Sequence, residues 1–411
     1  MVRYIRSCSR KTFYPVCNLN TKPTMAQPKY DHNPELPASD IARRLELVSQ
    51  PDYSSMDLFW TSQPKWPLPP GTSSSGSSSQ TKPRKIHLAV FDSSFDPPTR
   101  AHFEIALSRY PAELPESHAQ ESASPISTRQ ATRSNPDEVN NDTEIGGETG
   151  GSHPGPYTAI LLLLSARNVD KNPAQSGSSS GPRQSTFAER IEMMIEQAKA
   201  MDAEINPGKQ YRNGSSGGMQ EAFGRQDQEG HGGIAVAALN FPTFVGKSVI
   251  VHKWLQSHLS MTEQNSVHAD TTLSFLLGSD TLTRLFLPKY YPPSSTFPEI
   301  GPDMDAQLEY FFERDHSKMV VVRRYVSSED RDKEQAFVND DPRCRKWVEH
   351  GGLRFVDEDG GGQGVRRGEE MGEISSSVVR KTVGEKGYGG VGNELCVKGV
   401  REYMQGKGLY S

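Results

Sequence analysis

Five short apolar runs, separated by stretches of helical periodicity, limit the folds open to this chain. Ile86 to Phe91, Tyr157 to Ser165, Ile234 to Leu239, Thr272 to Leu277 and Lys318 to Arg323 are rich in Val, Ile, Leu and Ala and end in polar residues or glycine. Runs of this kind read as strands buried on both faces. Gly351 to Val356 is a sixth candidate. Between them, Thr99 to Arg109 places Phe103, Ala106 and Leu107 on one helical face, and Gln184 to Ala200 does the same with Phe187, Ile191, Met194, Ile195 and Ala198. Further helices are expected at Lys247 to Leu259, Leu308 to Arg314, Ser375 to Val383 and Glu394 to Lys407. Strands alternating with helices predict a doubly wound, Rossmann-like α/β fold, with a parallel sheet covered on both faces. Ligands in such sheets lie beyond the carboxyl ends of the strands, so the residues just after each strand carry the functional information.

Length alone, at 411 residues, would suggest more than one domain, but only 34% of the residues are hydrophobic and there are 36 glycines and 29 prolines. These concentrate in a few stretches, so the expectation is one core of about 200–250 ordered residues with long insertions. Residues 1–83 read as a largely disordered leader, with a short helix at 39–50 capped by Ser39 or Asp40. The segment 71–80, GTSSSGSSSQ, reads as a flexible linker. The domain proper spans 84–411, with disordered insertions expected at about 112–156, 203–233 and 359–372.

The net charge of −5 gives no reason to expect nucleic acid as a partner, since such binding usually needs a basic stripe or patch. Cys8, Cys17, Cys344 and Cys396 show no C-x-x-C spacing, which argues against a disulfide framework and a zinc site and fits a reducing compartment. The longest apolar run, Ala159 to Leu164, is too short to span a membrane. Residues 1–30 carry Arg3, Arg6, Arg10, Lys11, Lys22 and Lys29 and no acid. Cytosol or nucleus is the default location, a mitochondrial presequence the alternative, and Met25 an alternative start.

The first strand runs into Asp92-Ser93-Ser94-Phe95-Asp96-Pro97-Pro98-Thr99-Arg100-Ala101-His102. This is a strand, a tight polar loop and a helix N-terminus, whose free N–H groups and dipole suit a phosphate. Thr99 and His102, one turn apart, project from the same side, and a histidine there can donate a hydrogen bond to a phosphoryl centre under attack. A lone T-x-x-H is far more often an ordinary helix start. A second element, Ile374-Ser375-Ser376-Ser377-Val378-Val379-Arg380, opens a late helix with three serines and an arginine one turn in. Serines there are common caps, but the hydroxyls and guanidinium together also suit a triphosphate.

The two elements, in this order, resemble the nucleotidyltransferase superfamily, in particular the G-S-F-N/D-P-P/I-T-x-x-H loop and I-S-S-T/S-x-x-R element of nicotinamide and nicotinate mononucleotide adenylyltransferases. The resemblance covers about 84–411 and implies a nucleotidyltransferase fold. It implies that Thr99 and His102 act on the ATP phosphates, that Ser94 and Phe95 supply loop contacts to the mononucleotide, and that Ser375, Ser376, Ser377 and Arg380 grip the triphosphate. Less specific matches are Lys171 after the second strand with Arg190 in the next helix, Asp280 of Gly278-Ser279-Asp280 on ribose hydroxyls, and Arg323 closing the V-V-V-R strand. Read without the resemblance, Lys171 is a solvated loop lysine, Arg323 a strand end, and G-x-D a common tripeptide. Val400-Arg401-Glu402-Tyr403 through Gly408-Leu409-Tyr410 resembles the family's closing helix and L-Y ending. Lys289-Tyr290-Tyr291 is similar to its divergent fungal branch. Ser93 stands where the family has glycine; a positive φ there would cost about 1 kcal/mol.

By this resemblance the chain makes NAD and pyrophosphate from ATP and nicotinamide mononucleotide, with Mg²⁺ held by the ATP phosphates and water and no protein metal site. Such a transfer needs no covalent nucleophile, only alignment and charge stabilisation. Three alternatives stay open: another acceptor or CTP, an ATP-binding and ATP-hydrolysing protein that makes no NAD, and a nucleotide-binding regulatory protein. Nicotinamide and nicotinate are not distinguished by these motifs.

Overall fold

The computed structural model describes residues 36–68, 85–107, 157–167, 182–206, 232–262, 270–323, 327–356 and 373–411, the side chains of 261, 262 and 280 excepted. The elements in chain order are α1 (Ala38–Val48), β1 (Met56–Thr61), β2 (Lys85–Ser93), α2 (Arg100–Leu107), β3 (Ala159–Ser165), α3 (Phe187–Ile205), β4 (Ile234–Leu239), α4 (Phe244–Thr262), β5 (Asp270–Gly278), α5 (Ser279–Leu285), α6 (Met304–Glu309), β6 (Lys318–Val322), α7 (Ser328–Asp340), α8 (Pro342–Glu349), β7 (Leu353–Val356), α9 (Ser376–Lys386) and α10 (Lys398–Lys407). They build a doubly wound α/β fold around one seven-stranded sheet, ordered β1-β4-β3-β2-β5-β6-β7. No helix among the described residues is long and apolar enough to cross a membrane.

The strands with continuous apolar runs occupy the middle of the sheet, as burial on both faces requires. In β3 the residues Ala159 to Leu164 are all buried, and β4 is buried throughout. Alternation then divides the core. Ala89, Phe91, Ile160 and Leu162 pack towards α1, α2, α3, α9 and α10. Leu88, Val90, Leu161 and Leu163 pack towards α4 to α8. From β2 the chain winds outward through β3 to β4, crosses the opposite face in α4, and resumes at β5 on the other side of β2. The winding therefore reverses between β2 and β5, and the carboxyl ends of these strands are where a doubly wound sheet takes its ligand.

The structure departs from the sequence expectation at its start and in its last third. Residues 56–61, assigned to the leader, form an edge strand that pairs antiparallel with β4, Asp57 opposite Ala238. The sheet is thus parallel except at this edge. The strand was hidden because Asp57 interrupts the apolar run Met56-Asp57-Leu58-Phe59-Trp60; Arg44 of α1 takes up that charge through two hydrogen bonds and also donates to the Leu58 carbonyl at 2.7 Å. Helices α5, α7 and α8 were likewise unexpected. In α7, Ser-Glu-Asp-Arg-Asp-Lys-Glu-Gln has no apolar stripe, and the helix starts on the Ser327 cap instead. Leu308 to Arg314 is the end of α6 followed by one π-turn at Tyr310–Arg314. The expected linker 71–80, the insertions 112–156 and 359–372, and residues 207–231 of the insertion at 203–233 lie outside the described residues. Residues 203–205 of that insertion finish α3.

Arg44 and Asp57 each retain 11% of their side-chain exposure, so truncating Asp57 removes the counter-charge of a cation in a nearly dry site. Asp57→Ala is expected to cost about 2–4 kcal/mol, read as a lower denaturation midpoint in urea. A loss below about 0.5 kcal/mol, the size of a surface pair, would show that the edge strand is held by its backbone ladder alone.

Candidate functional site

The loop after β2 is built by opposing side-chain directions at its start. Ser93 faces the α2 side and its Oγ lies 2.9 Å from His102 Nε2; Asp92 faces the α4 side and pairs with Lys247. Ser93 is the last residue of β2 and does not adopt a positive φ, so the strain entertained for it is absent. The left-handed residue is Phe95, φ 46°, whose side chain is fully buried against Phe91 and the His102 ring. Ser94, between them, is the exposed residue of the loop.

Thr99 and His102 form a reciprocal cap at the start of α2. The Thr99 carbonyl accepts from Phe103 N–H at 3.2 Å, the first helical bond. Thr99 Oγ1 accepts from His102 N–H at 3.4 Å, while the Thr99 N–H donates to His102 Nδ1 at 3.0 Å. This is the capping-box arrangement with histidine in the place of glutamate. It has a chemical consequence. With Nδ1 accepting, the neutral imidazole carries its proton on Nε2 and donates it towards Ser93 Oγ and the mouth of the loop. Thr99 itself is buried, its hydroxyl 2.7 Å from His102 Nδ1.

Asp96 is the anchor of the loop, and sequence reasoning gave it no role. Its carboxylate accepts from Ser185 Oγ at 2.6 Å, Tyr410 Oη at 2.6 Å and Arg190 Nη2 at 3.0 Å, while Arg380 donates to its backbone carbonyl. Burial alone pushes this carboxyl up; Arg190, the Ser185 and Tyr410 hydroxyls and Arg380 outweigh it, and the net pKa lies below the ordinary carboxylate range. Burial, and then the bond to Asp96, raise the Tyr410 phenol far above its ordinary value, so it stays a donor. A capping box of Thr186 and Glu189 starts α3 and so sets Ser185 and Arg190 at the loop.

The late serine–arginine element reaches the same loop. Ser375 caps α9 through Val378 N–H, Ser376 Oγ donates to the Pro97 carbonyl at 2.7 Å, and Arg380 Nη2 donates to Ser377 Oγ at 3.0 Å. Behind it, the Arg100 N–H donates to the Leu395 carbonyl, and Cys396 Sγ donates to the Pro98 carbonyl. Burial pushes the Cys396 thiol up to about 12, so it packs as an inert group. Of the five N–H groups of Arg380, the described contacts use two, and the side chain keeps 30% of its exposure.

Thr99, His102, Ser93, Ser94, Phe95, Ser375, Ser376, Ser377 and Arg380 are therefore brought together at the carboxyl end of β2. The remaining expected residues are not all there. Arg190 is tied to Asp96 and Ser185 behind the loop, with its guanidinium over the Phe187 ring. Arg323 follows β6, where it pairs with Glu334 and stacks on Phe355. Asp280 takes the second position of α5, after the carboxyl end of β5; its side chain, like all of Lys171, lies outside the described residues. Lys247 was missed. Its signal was legible, since a lysine inside Val245-Gly246-Lys247-Ser248-Val249 must be buried and must find a carboxylate.

Comparison with known proteins adds little beyond this geometry. No family model matches the sequence, and no curated protein sequence matches it. Among solved structures, the Plasmodium falciparum nicotinic acid mononucleotide adenylyltransferase is similar, in its complexes with NaAD and with APC. Each comparison has 12% identity, with TM-scores of 0.32 and 0.31; each covers 79% of this chain and 98% or 97% of the other.

Removal of the Asp96 charge should weaken the protein in a pH-dependent way. A folded-state pKa below the unfolded one gives stability that is complete above the ordinary carboxylate value and is lost as pH falls through the folded value. Asp96→Asn is expected to lose about 2–4 kcal/mol at neutral pH. The deficit should shrink below about pH 4, which urea denaturation across the acid range would read.

Proposed function

We propose that this protein is an adenylyltransferase that joins ATP to nicotinamide mononucleotide, forming NAD and releasing pyrophosphate. The observation that carries the reading is the convergence of two phosphate-suited elements far apart in the sequence. Ser376 and Arg380 bond the backbone of Pro97 and Asp96, within the loop that ends in Thr99 and His102. These bonds join three groups at one loop: the start of α2 with the His102 Nε2–H, the start of α9 with its serines, and the N–H groups of Arg380 that the described contacts leave over. That set suits a polyphosphate.

In the reaction, a phosphate oxygen of the mononucleotide attacks the α-phosphorus of ATP. The new P–O bond forms as the bond to the bridging α–β oxygen breaks, and pyrophosphate departs with the electron pair. His102 donates a hydrogen bond from Nε2 to the charge that gathers on the phosphoryl oxygens, with Arg380 and the α9 hydroxyls along the leaving group. Lys171 and Asp280 are assigned to phosphate and ribose, and Ser94 and Phe95 to the mononucleotide side of the loop. Among the described residues no group of three or more His, Cys, Asp or Glu side chains could hold a metal ion. Mg²⁺ in this reading is part of the ATP substrate, carried on phosphate oxygens and water.

The purified protein should form NAD from ATP, Mg²⁺ and nicotinamide mononucleotide in an assay coupled to alcohol dehydrogenase. His102→Ala should lower kcat about 100- to 1000-fold, the usual cost of one oxyanion donor. ATP consumption or binding without a dinucleotide product would place the protein among nucleotide-binding proteins of another activity.

A further inference from the structure

Lys247 lies in the first turn of α4, and its ammonium pairs with Asp92; the two side chains keep 6% and 10% of their exposure. Stability gives little reason for the pair, because apolar residues of similar volume serve as well in such a place. Its position is more informative. Val90 packs on the α4 face of the sheet, so Asp92, two residues on, points there too, whereas Ser93 points at His102 on the other face. The pair and the phosphate-directed groups therefore lie on opposite faces of the sheet at the carboxyl end of β2, where the winding reverses between β2 and β5 and a doubly wound sheet takes its ligand. A ligand that lies across the loop presents its phosphates to His102 and Arg380 and its far end to Lys247 and Asp92.

We propose that the Asp92–Lys247 pair is the specificity element for the base of the acceptor, selecting a neutral carboxamide over a carboxylate; this rests on the adenylyl-transfer reading. A carboxamide has one acceptor and one donor group. Its carbonyl accepts from Lys247 Nζ while its NH₂ donates to Asp92, so both buried charges keep their mutual attraction and gain a partner. A carboxylate has acceptors only. It shares the ammonium with Asp92 and brings a second negative charge beside the first, in surroundings that screen charge poorly. The Phe244 ring, 5.2 Å from Lys247 Nζ, adds an aromatic surface next to the pair.

The test is calorimetric titration of the full-length protein with nicotinamide mononucleotide and nicotinate mononucleotide separately, and with ATP as a third ligand. Wild type should bind the nicotinamide compound about tenfold more tightly or better. Asp92→Asn leaves the ammonium without its counter-charge and should move the ratio about tenfold towards nicotinate, with ATP affinity within about twofold of wild type. If that variant does not fold, Asp92→Leu combined with Lys247→Met supplies an apolar pair, and the two mononucleotides should then bind within about threefold of each other. A merely structural pair would weaken both mononucleotides alike. An unmoved ratio in a folded variant, or a wild type that prefers nicotinate, overturns the assignment and leaves adenylyl transfer standing. A wild type that binds ATP but neither mononucleotide overturns both.

Discussion

The carboxylate of Asp96 holds the loop on which the candidate site is built. A carboxyl in so dry a place would ordinarily be neutral. Here Arg190, Ser185 and Tyr410 each bond it, and Arg380 fixes its backbone, so it stays ionised and each partner has one position. Those partners come from α3 and the residues just before it, from α9 and from Tyr410 after α10. The loop therefore serves as the point where three separate segments are locked in register. Fixed at Asp96 and Thr99, the intervening backbone has little freedom left, and His102 is presented from a rigid base. Preorganisation of that kind is what a reaction limited by alignment and charge stabilisation requires.

The sheet supplies the second half of the arrangement. Because successive residues of β2 point to opposite faces, Asp92 and Ser93 serve the two faces of the sheet at its carboxyl end with a single peptide bond between them. On one face stand an imidazole, hydroxyls and a partly exposed guanidinium; on the other a nearly dry ion pair with no net charge. The first suits phosphates and the second a neutral polar group. A substrate with a charged and an uncharged end would be oriented before any contact specific to its base is made.

How much of this was legible in the sequence depended on whether the signal was local. The central strands were plain because burial on both faces leaves no room for polar residues in Ala159 to Leu164 or Ile234 to Leu239. The start of α3 was legible to within a few residues, and its capping pair Thr186 and Glu189 is itself a local pattern. The edge strand β1 was not, because Asp57 breaks its apolar run and the residue that makes this tolerable, Arg44, lies in another element. The same division holds at the site. Thr99 and His102 stood out by spacing, and the serine–arginine element by order. The partners of Asp96 lie at positions 185, 190, 380 and 410, a set with no spacing rule, and so the resemblance placed Arg190 behind Lys171 without showing what it holds. Lys247 could have been found, since an apolar helix does not bury a lysine without a carboxylate; which carboxylate required the fold.

The central claim is that the cap at the start of α2 fixes the proton of His102 on Nε2 and aims it at a bound phosphate. Long-range proton–nitrogen NMR of the imidazoles, with His102 assigned by comparison with a His102→Gln protein, measures this directly. The account predicts a neutral Nε2–H tautomer in the free protein, and a change at Nε2 rather than Nδ1 when ATP and Mg²⁺ are added. A resting Nδ1–H tautomer, or a His102 signal that ATP leaves unmoved, would contradict it.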